Sequence, residues 1–142
     1  MTTIKSNLLD ITEGVICHQV NCRRVAGAGL ALQIRNKWPK WYDAYRCYPK
    51  PELGDVFIFP VVSELYVASL FGQERFGKRL QTNYFALESA LKKLRLLLSQ
   101  AFVDGDSVYF PSGIGAGLAG GDSKIIHSLI EKYFPNAILM EK

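Results

Sequence analysis

The sequence predicts an α/β protein in which helices cover both faces of a largely parallel β-sheet. Short apolar runs alternate with longer segments of helical periodicity, which is the pattern of βαβ units. Most of the short runs are apolar throughout, and this is typical of strands that are buried on both faces. The length of 142 residues fits a single domain, 1–142.

Six segments are predicted to be strands. The first of them, residues 2 to 6 (TTIKS), is the predicted edge strand. The other five are residues 14 to 20 (GVICHQV), 55 to 62 (DVFIFPVV), 65 to 71 (LYVASLF), 107 to 112 (SVYFPS) and 136 to 140 (NAILM).

Four segments are predicted to be helices. Residues 82 to 102 carry one apolar stripe, and Thr82 is the predicted N-cap. Residues 122 to 134 (DSKIIHSLIEKYF) repeat their apolar positions at helical spacing. Two shorter helices are expected, one over about residues 29 to 38 and one around residues 41 to 45.

Composition and charge exclude several classes of protein. No apolar run approaches the roughly 20 residues that span a bilayer, and the first residues do not resemble a signal peptide, so we expect a cytoplasmic protein without a membrane partner. Three cysteines, no CxxC and two distant histidines argue against a disulfide framework and against a metal site. The net charge of +4 suits an anionic ligand, although dispersed lysines and arginines are equally typical of a solvated surface.

Two glycine-rich turns each follow a predicted strand and precede a predicted helix: NCRRVAGAG (21 to 29) and PSGIGAGLAGGD (111 to 122). Open α/β sheets bind ligands at this end of their strands. Glycines let the backbone approach a ligand, and helix N-termini add partial positive charge. The turns are therefore predicted to cradle a diphosphate; the alternative is that the glycines only form tight turns. Neither turn matches a P-loop or a dinucleotide-binding GxGxxG motif.

Cys17 and Arg23 have the spacing of the cysteine-dependent phosphatases. In those enzymes the loop between the two residues curls around one phosphate. Here Cys17 lies in a predicted strand, which would place the two residues about 20 Å apart if fully extended. We interpret the match as accidental and Cys17 as a buried structural residue.

Three segments resemble the macro domain, the ADP-ribose-binding fold: residues 18 to 39, 71 to 91 and 110 to 122. The resemblance covers nearly the whole chain. The three segments look like those of the small stand-alone macro domains of phages, bacteria and fungi that act as ADP-ribose-1″-phosphate phosphatases. The resemblance implies a three-layer α/β/α sandwich with a mixed, mostly parallel sheet, and ADP-ribose or ADP-ribose-1″-phosphate as the ligand. We expect a phage or bacterial monomer that uses no cofactor.

The resemblance also implies the ligand-binding residues. Where the family usually has a Gly-Asp pair at the adenine, this chain has Ser6-Asn7, so Asn7, with Leu8 beside it, would contact the base through an amide that both donates and accepts. Asn21 matches the residue at the distal ribose. The other residues implied to bind the diphosphate and this ribose are Gly27, Ala28, Gly29, Leu30, Ser112, Gly113, Ile114, Gly115, Ala116, Gly117 and Leu118.

The phosphatase-like members of the family use a His beside the first turn and an Asp beside the second, which match His18 and Asp122. The resemblance implies that His18 acts as the nucleophile or as the base for a water, and that Asp122 protonates the leaving ribose oxygen. Backbone N–H groups would stabilise the phosphoryl charge without a metal. Each residue also has a structural alternative, because a histidine in an apolar strand is often a core residue and Asp122 directly precedes a helix that it can cap.

Three other functions are alternatives to the phosphatase. Macro domains that remove ADP-ribose from protein carboxylates through a lysine have Lys and Asp where this chain has Leu80 and Ala119, which counts against that mechanism. A non-catalytic reader or sequesterer of ADP-ribose would share every binding residue. Nucleic-acid binding is not expected, because the basic segment 76 to 81 (FGKRLQ) lacks regularly spaced aromatic platforms.

Overall fold

The computed structural model describes residues 1–76, 80–101, 108–117 and 119–142. The strands are β1 (Thr2–Lys5), β2 (Gly14–Asn21), β3 (Val56–Val62), β4 (Leu65–Gln73), β5 (Val108–Pro111) and β6 (Ile138–Glu141). The helices are α1 (Gly29–Lys37), α2 (Pro39–Arg46), α3 (Tyr84–Gln100) and α4 (Ser123–Tyr133). A short 3-10 helix, Leu8–Asp10, lies between β1 and β2. Within these ranges no helix combines the length and the apolar composition needed to cross a bilayer.

All six strands form one mixed sheet in the order β1-β6-β5-β2-β4-β3. Every neighbouring pair is parallel except β3 and β4, which form an antiparallel hairpin. The predicted edge position of the first strand is confirmed, as is the mixed, mostly parallel sheet. Because β2 and β5 lie side by side and run in parallel, the two glycine-rich turns that follow them meet at one edge of the sheet.

Helices cover both faces of the sheet, which confirms the three-layer α/β/α arrangement. Alternating residues of β2 point to opposite faces. Val15 and Cys17 belong to the apolar core under α3 and α4, whereas Ile16 and Val20 belong to the core under α1 and α2. All four residues are at most 3% exposed, so the prediction that this strand is buried on both faces is correct.

The predicted N-cap of α3 is wrong by one residue. Asn83, not Thr82, caps the helix, and its Oδ1 accepts from the backbone N–H of Ala86 at 3.0 Å. The Thr82 hydroxyl is committed elsewhere, because it donates to the backbone carbonyl of Gly115 at 2.7 Å. Either residue type is a good cap, and a contact between distant segments decides between them.

Candidate functional site

A cavity of about 730 Å³ opens at the carboxyl ends of β2, β4 and β5. It lies between the start of α1 and the second glycine-rich turn. Among the described residues that line it, none carries a full charge when His18 is neutral. The lining includes these residues predicted from the sequence: His18, Asn21, Gly27, Ala28, Gly29, Leu30, Gly113, Ile114, Gly115 and Gly117.

Several residues of the cavity wall were missed by the sequence analysis: Gln19, Val20, Val25, Ala31, Gln73, Phe76, Pro111 and Ala119. Gln19 and Gln73 could have been predicted as site residues, because each is a polar residue near the carboxyl end of an apolar strand. The apolar residues of the wall could not have been predicted, since an apolar residue beside a strand is equally expected in the core.

The N-terminus of α1 supplies one wall of the cavity. Its N-cap residue, Ala28, has no side chain that can bond to the helix. The first-turn N–H groups of Gly29, Leu30 and Ala31 therefore have no intrahelical partner, and all three residues line the cavity. By contrast, α3 and α4 are capped by the side chains of Asn83 and Asp122. The start of α1 is consequently open to an anionic ligand.

The second glycine-rich turn supplies the opposite wall. Its own hydrogen bonds use alternate N–H groups: Ile114 donates to Pro111 O at 3.0 Å, and Ala116 donates to Gly113 O at 2.9 Å. Among the described residues, the intervening N–H groups of Gly113, Gly115 and Gly117 have no acceptor. These three glycines line the cavity and Ala116 does not. The second turn therefore contributes three glycines to the cavity wall whose amides have no acceptor among the described residues.

Four of the five glycines of the second turn fall into two groups. A Cβ at Gly121 would lie 2.6 Å from the carbonyl oxygen of Gly115, and Gly115 itself has a φ of +69°, so packing and backbone conformation require glycine at both. A Cβ at Gly113 or Gly117 would meet nothing within 4 Å. The tight-turn alternative therefore accounts for the first group and not for the second, whose bare backbone borders the cavity.

A buried polar network holds the second turn against the sheet. The Nε2 of Gln19 donates to Gln73 Oε1 and to Thr82 Oγ1, both at 2.9 Å. The Thr82 hydroxyl in turn donates to Gly115 O at 2.7 Å. Residues of β2, β4 and the segment before α3 thereby fix the position of the turn and of its free amides.

Asn21 shapes the first turn. Its Nδ2 donates to Val25 O at 3.0 Å, and its Oδ1 accepts from Val25 N–H at 3.1 Å. The Tyr45 hydroxyl donates to the backbone carbonyl of Asn21 at 2.9 Å and so anchors the residue from α2. A side-chain amide still has a second N–H and a second oxygen lone pair, which Asn21 can offer to a ligand in the cavity.

His18 is 2% exposed, in the wall of the cavity. Its Nε2 lies 2.7 Å from the hydroxyl oxygen of Ser69. The same oxygen accepts a hydrogen bond from the indole Nε1 of Trp41 at 3.0 Å. The imidazole and indole rings meet edge to face, with their centroids 5.1 Å apart. Burial lowers the pKa of His18 from 6.5 to about 3, so the ring is neutral near pH 7.

Several predicted site residues lie outside the cavity wall. Asp122 is exposed, and its Oδ1 accepts from the N–H of Lys124 at 2.8 Å, which confirms it as the cap of α4. Asn7 caps the 3-10 helix that contains Leu8, and the carbonyl of Ser112 lies 2.6 Å from His127 Nε2. Ala116 packs against the apolar core under α3 and α4, and its N–H donates to the carbonyl of Gly113. Leu118 lies outside the described residues.

Cys17 is fully buried in the core under α3 and α4. Burial raises the pKa of its thiol well above the ordinary value, which disfavours the thiolate that a nucleophile needs. Arg23 is exposed beyond the end of β2. The interpretation of Cys17 as a buried structural residue is confirmed.

No family model matches this chain, and no curated protein matches its sequence. Solved structures do match it. A protein of unknown function from Bacteroides thetaiotaomicron is 27% identical, with a TM-score of 0.88 over 99% of this chain and 97% of that one. The macrodomain of Thermus aquaticus DarG is 21% identical, with a TM-score of 0.82 over 99% and 97%. Thermosipho africanus DarTG in complex with ADP-ribose is 16% identical, with a TM-score of 0.75 over 92% of this chain and 38% of that one.

Proposed function

The chain has the macro domain fold, and from this premise we propose that its cavity binds ADP-ribose or ADP-ribose-1″-phosphate. The solved structure of Thermosipho africanus DarTG, which has the same fold at a TM-score of 0.75, contains ADP-ribose. The cavity volume of about 730 Å³ falls within the usual range of about 300–1,000 Å³ for small-molecule sites.

One observation supports this ligand above others. The N–H groups of Gly29, Leu30 and Ala31 on one wall, and those of Gly113, Gly115 and Gly117 on the other, have no acceptor among the described residues. The described lining contains no lysine or arginine, so an anionic ligand would be held by backbone dipoles and the start of α1. A diphosphate presents two phosphate groups, one for each row of amides.

The binding test compares wild type with Gly117→Glu by calorimetry, using ADP-ribose. A Cβ at position 117 meets open space, so the variant should fold, and its carboxylate should repel the diphosphate and abolish binding. Gln100→Glu adds the same charge at an exposed position at the end of α3 and is the matched control. Equal affinity of Gly117→Glu and wild type would contradict the assignment of the site.

A second candidate function is hydrolysis of the phosphate of ADP-ribose-1″-phosphate. The observation in its favour is that His18, the implied nucleophile or base, lines the cavity. Two features weaken it: burial makes His18 a poor base near pH 7, and the carboxylate of Asp122 caps α4 outside the cavity wall. A non-catalytic reader or sequesterer of ADP-ribose requires only the binding residues, so binding is the function that the geometry supports best.

Hydrolysis of protein-linked ADP-ribose through a lysine and an aspartate receives less support. The position implied for the aspartate is Ala119, which lines the cavity and has no carboxylate. The position implied for the lysine is Leu80, and the neighbouring Lys78 and Arg79 lie outside the described residues.

Phosphate release from ADP-ribose-1″-phosphate distinguishes the phosphatase from the reader. Turnover by wild type that disappears in His18→Ala, with ADP-ribose binding retained, would establish the phosphatase. Asp122→Ser keeps an N-capping side chain and removes the acid, so loss of turnover in this variant would give Asp122 a chemical role. Binding without turnover in wild type would make the protein a reader or sequesterer.

A further inference from the structure

The hydroxyl of Ser69 is fully buried between two ring nitrogens. Its Oγ lies 3.0 Å from Nε1 of Trp41 and 2.7 Å from Nε2 of His18. An indole N–H is a donor only, so Ser69 accepts from Trp41. The hydroxyl proton of Ser69 needs an acceptor of its own, and among the described residues the sole acceptor that it reaches is His18 Nε2.

This arrangement fixes the tautomer of His18. If Nε2 carried the ring proton, Trp41 and His18 would both donate to Ser69, and the serine proton would be buried without an acceptor. Ser69 therefore donates to the lone pair of Nε2. In a neutral imidazole the proton must then be on Nδ1.

The Nδ1–H group is the polar group of His18 that has no partner among the described residues. Nδ1 is buried and has no hydrogen-bond partner among the described residues, while the residue as a whole is 2% exposed and lines the cavity. A buried donor without a partner is costly unless a bound molecule satisfies it. No formal charge in the described lining offers His18 an ion pair.

We propose that His18 is a neutral hydrogen-bond donor, which presents Nδ1–H to an oxygen of the ligand and is held in that tautomer by Ser69 and Trp41. The inference rests on the proposed binding of ADP-ribose, whose hydroxyl and phosphate oxygens are the acceptors in question. It also removes His18 from the roles of nucleophile and base, because the lone pair of Nε2 is occupied and Nδ1 carries the proton. Ser69 and Trp41 are positioning residues.

His127 provides an internal reference. Its Nε2 lies 2.6 Å from the carbonyl oxygen of Ser112, which can only accept. A neutral His127 therefore carries its proton on Nε2. The two histidines of the chain are expected to be opposite tautomers in the same molecule.

The first test is long-range proton–nitrogen NMR on wild-type protein labelled with ¹⁵N-histidine. The expected spectrum shows His18 protonated at Nδ1 alone, unchanged between pH 8 and pH 5. The His127 ring is identified by its contact with the backbone of Ser112, and the other ring is then His18. A His18 protonated at Nε2, or one that titrates in this range, would overturn the inference without bearing on whether ADP-ribose binds.

The second test is calorimetry with ADP-ribose on two variants that replace the imidazole by an amide. In His18→Gln the amide reaches the position of Nε2 and can keep the contact with Ser69, but the Nδ1 donor is lost. In His18→Asn the amide reaches the position of Nδ1. We expect affinity to fall about tenfold in His18→Gln and by clearly less in His18→Asn.

The outcomes separate the inference from the proposed function. Wild type that binds ADP-ribose, with equal losses in the two variants or the larger loss in His18→Asn, would overturn the inference alone. Wild type that does not bind ADP-ribose would overturn both the proposed function and the ligand contact of His18. Thermal melts of both variants exclude unfolding as the cause of a loss, and the NMR measurement on wild type is independent of either variant.

Discussion

The hydroxyl of Thr82 donates to the backbone carbonyl of Gly115 at 2.7 Å, across 33 residues of sequence. The same oxygen accepts from the Gln19 amide at 2.9 Å. Thr82 therefore connects the strand that carries His18 to the turn that carries half of the free amides.

Replacing this hydroxyl should loosen the second turn. Thr82→Val removes the donor to Gly115 and leaves a buried carbonyl and the Gln19 amide short of a partner, so the free energy of unfolding should fall by about 1–3 kcal/mol. ADP-ribose affinity should fall with it. Urea unfolding and calorimetry measure the two effects, and Thr82→Ser, which keeps the hydroxyl, should lie much closer to wild type. Equal stability of Thr82→Val and Thr82→Ser would show that the hydrogen bond from the hydroxyl to Gly115 does not contribute to the free energy of unfolding.

Glycine-to-alanine substitutions should separate the packing glycines from the open ones. Gly121→Ala would place a Cβ 2.6 Å from a backbone oxygen, and we expect a loss of roughly 1–3 kcal/mol in unfolding free energy from the required shift. Gly117→Ala meets no atom within 4 Å and should leave stability within about 0.5 kcal/mol of wild type. Denaturant unfolding measures the stability of both variants under the same conditions. The prediction is wrong if Gly117→Ala is less stable than Gly121→Ala.

Stability should decrease in acid because of His18. The pKa of His18 is about 3 in the folded protein and 6.5 in the unfolded chain. Below pH 6.5 the unfolded chain therefore binds a proton that the folded protein excludes. The contribution is complete above pH 6.5 and is lost as the pH falls toward 3, with a slope of about 1.4 kcal/mol per pH unit. The groups that contact the ring, Ser69 and Trp41, do not titrate in this window. Urea unfolding between pH 7.5 and 4.5 should show this contribution only below about pH 6.5, and the difference in slope between wild type and His18→Asn measures it.

The cysteines should react very differently. Cys17 and Cys22 are buried and burial raises the pKa of both thiols, to about 11 for Cys22, whereas Cys47 is exposed. A thiol reagent at pH 8 should modify one cysteine in the native protein and all three after denaturation. Mass spectrometry should locate the native label on Cys47. Rapid modification of Cys17 in the folded protein would contradict its burial and would favour a phosphatase loop at residues 17 to 23.

Much of the fold follows from local patterns. The apolar runs and the helical periodicities depend on neighbours close in sequence, and each of the six strands and four helices predicted from them is present. The glycine-rich turns after β2 and β5 could also be placed together, because parallel strands bring their carboxyl ends to one edge. The burial of Cys17 followed from its position in an apolar strand.

The tertiary structure decided what depends on residues distant in sequence. Whether Thr82 or Asn83 caps α3 is settled by the carbonyl of Gly115, and the tautomer of His18 by Ser69 and Trp41, which lie 51 and 23 residues away in the chain. Nothing local marks which glycines are packed and which are open, since that depends on the atoms a Cβ would meet. The sequence by itself therefore determined the sheet, the helices and the place of the site; only the packed chain decided which donors in that site are free, because a hydrogen-bonding group is free or occupied according to partners that the fold brings to it.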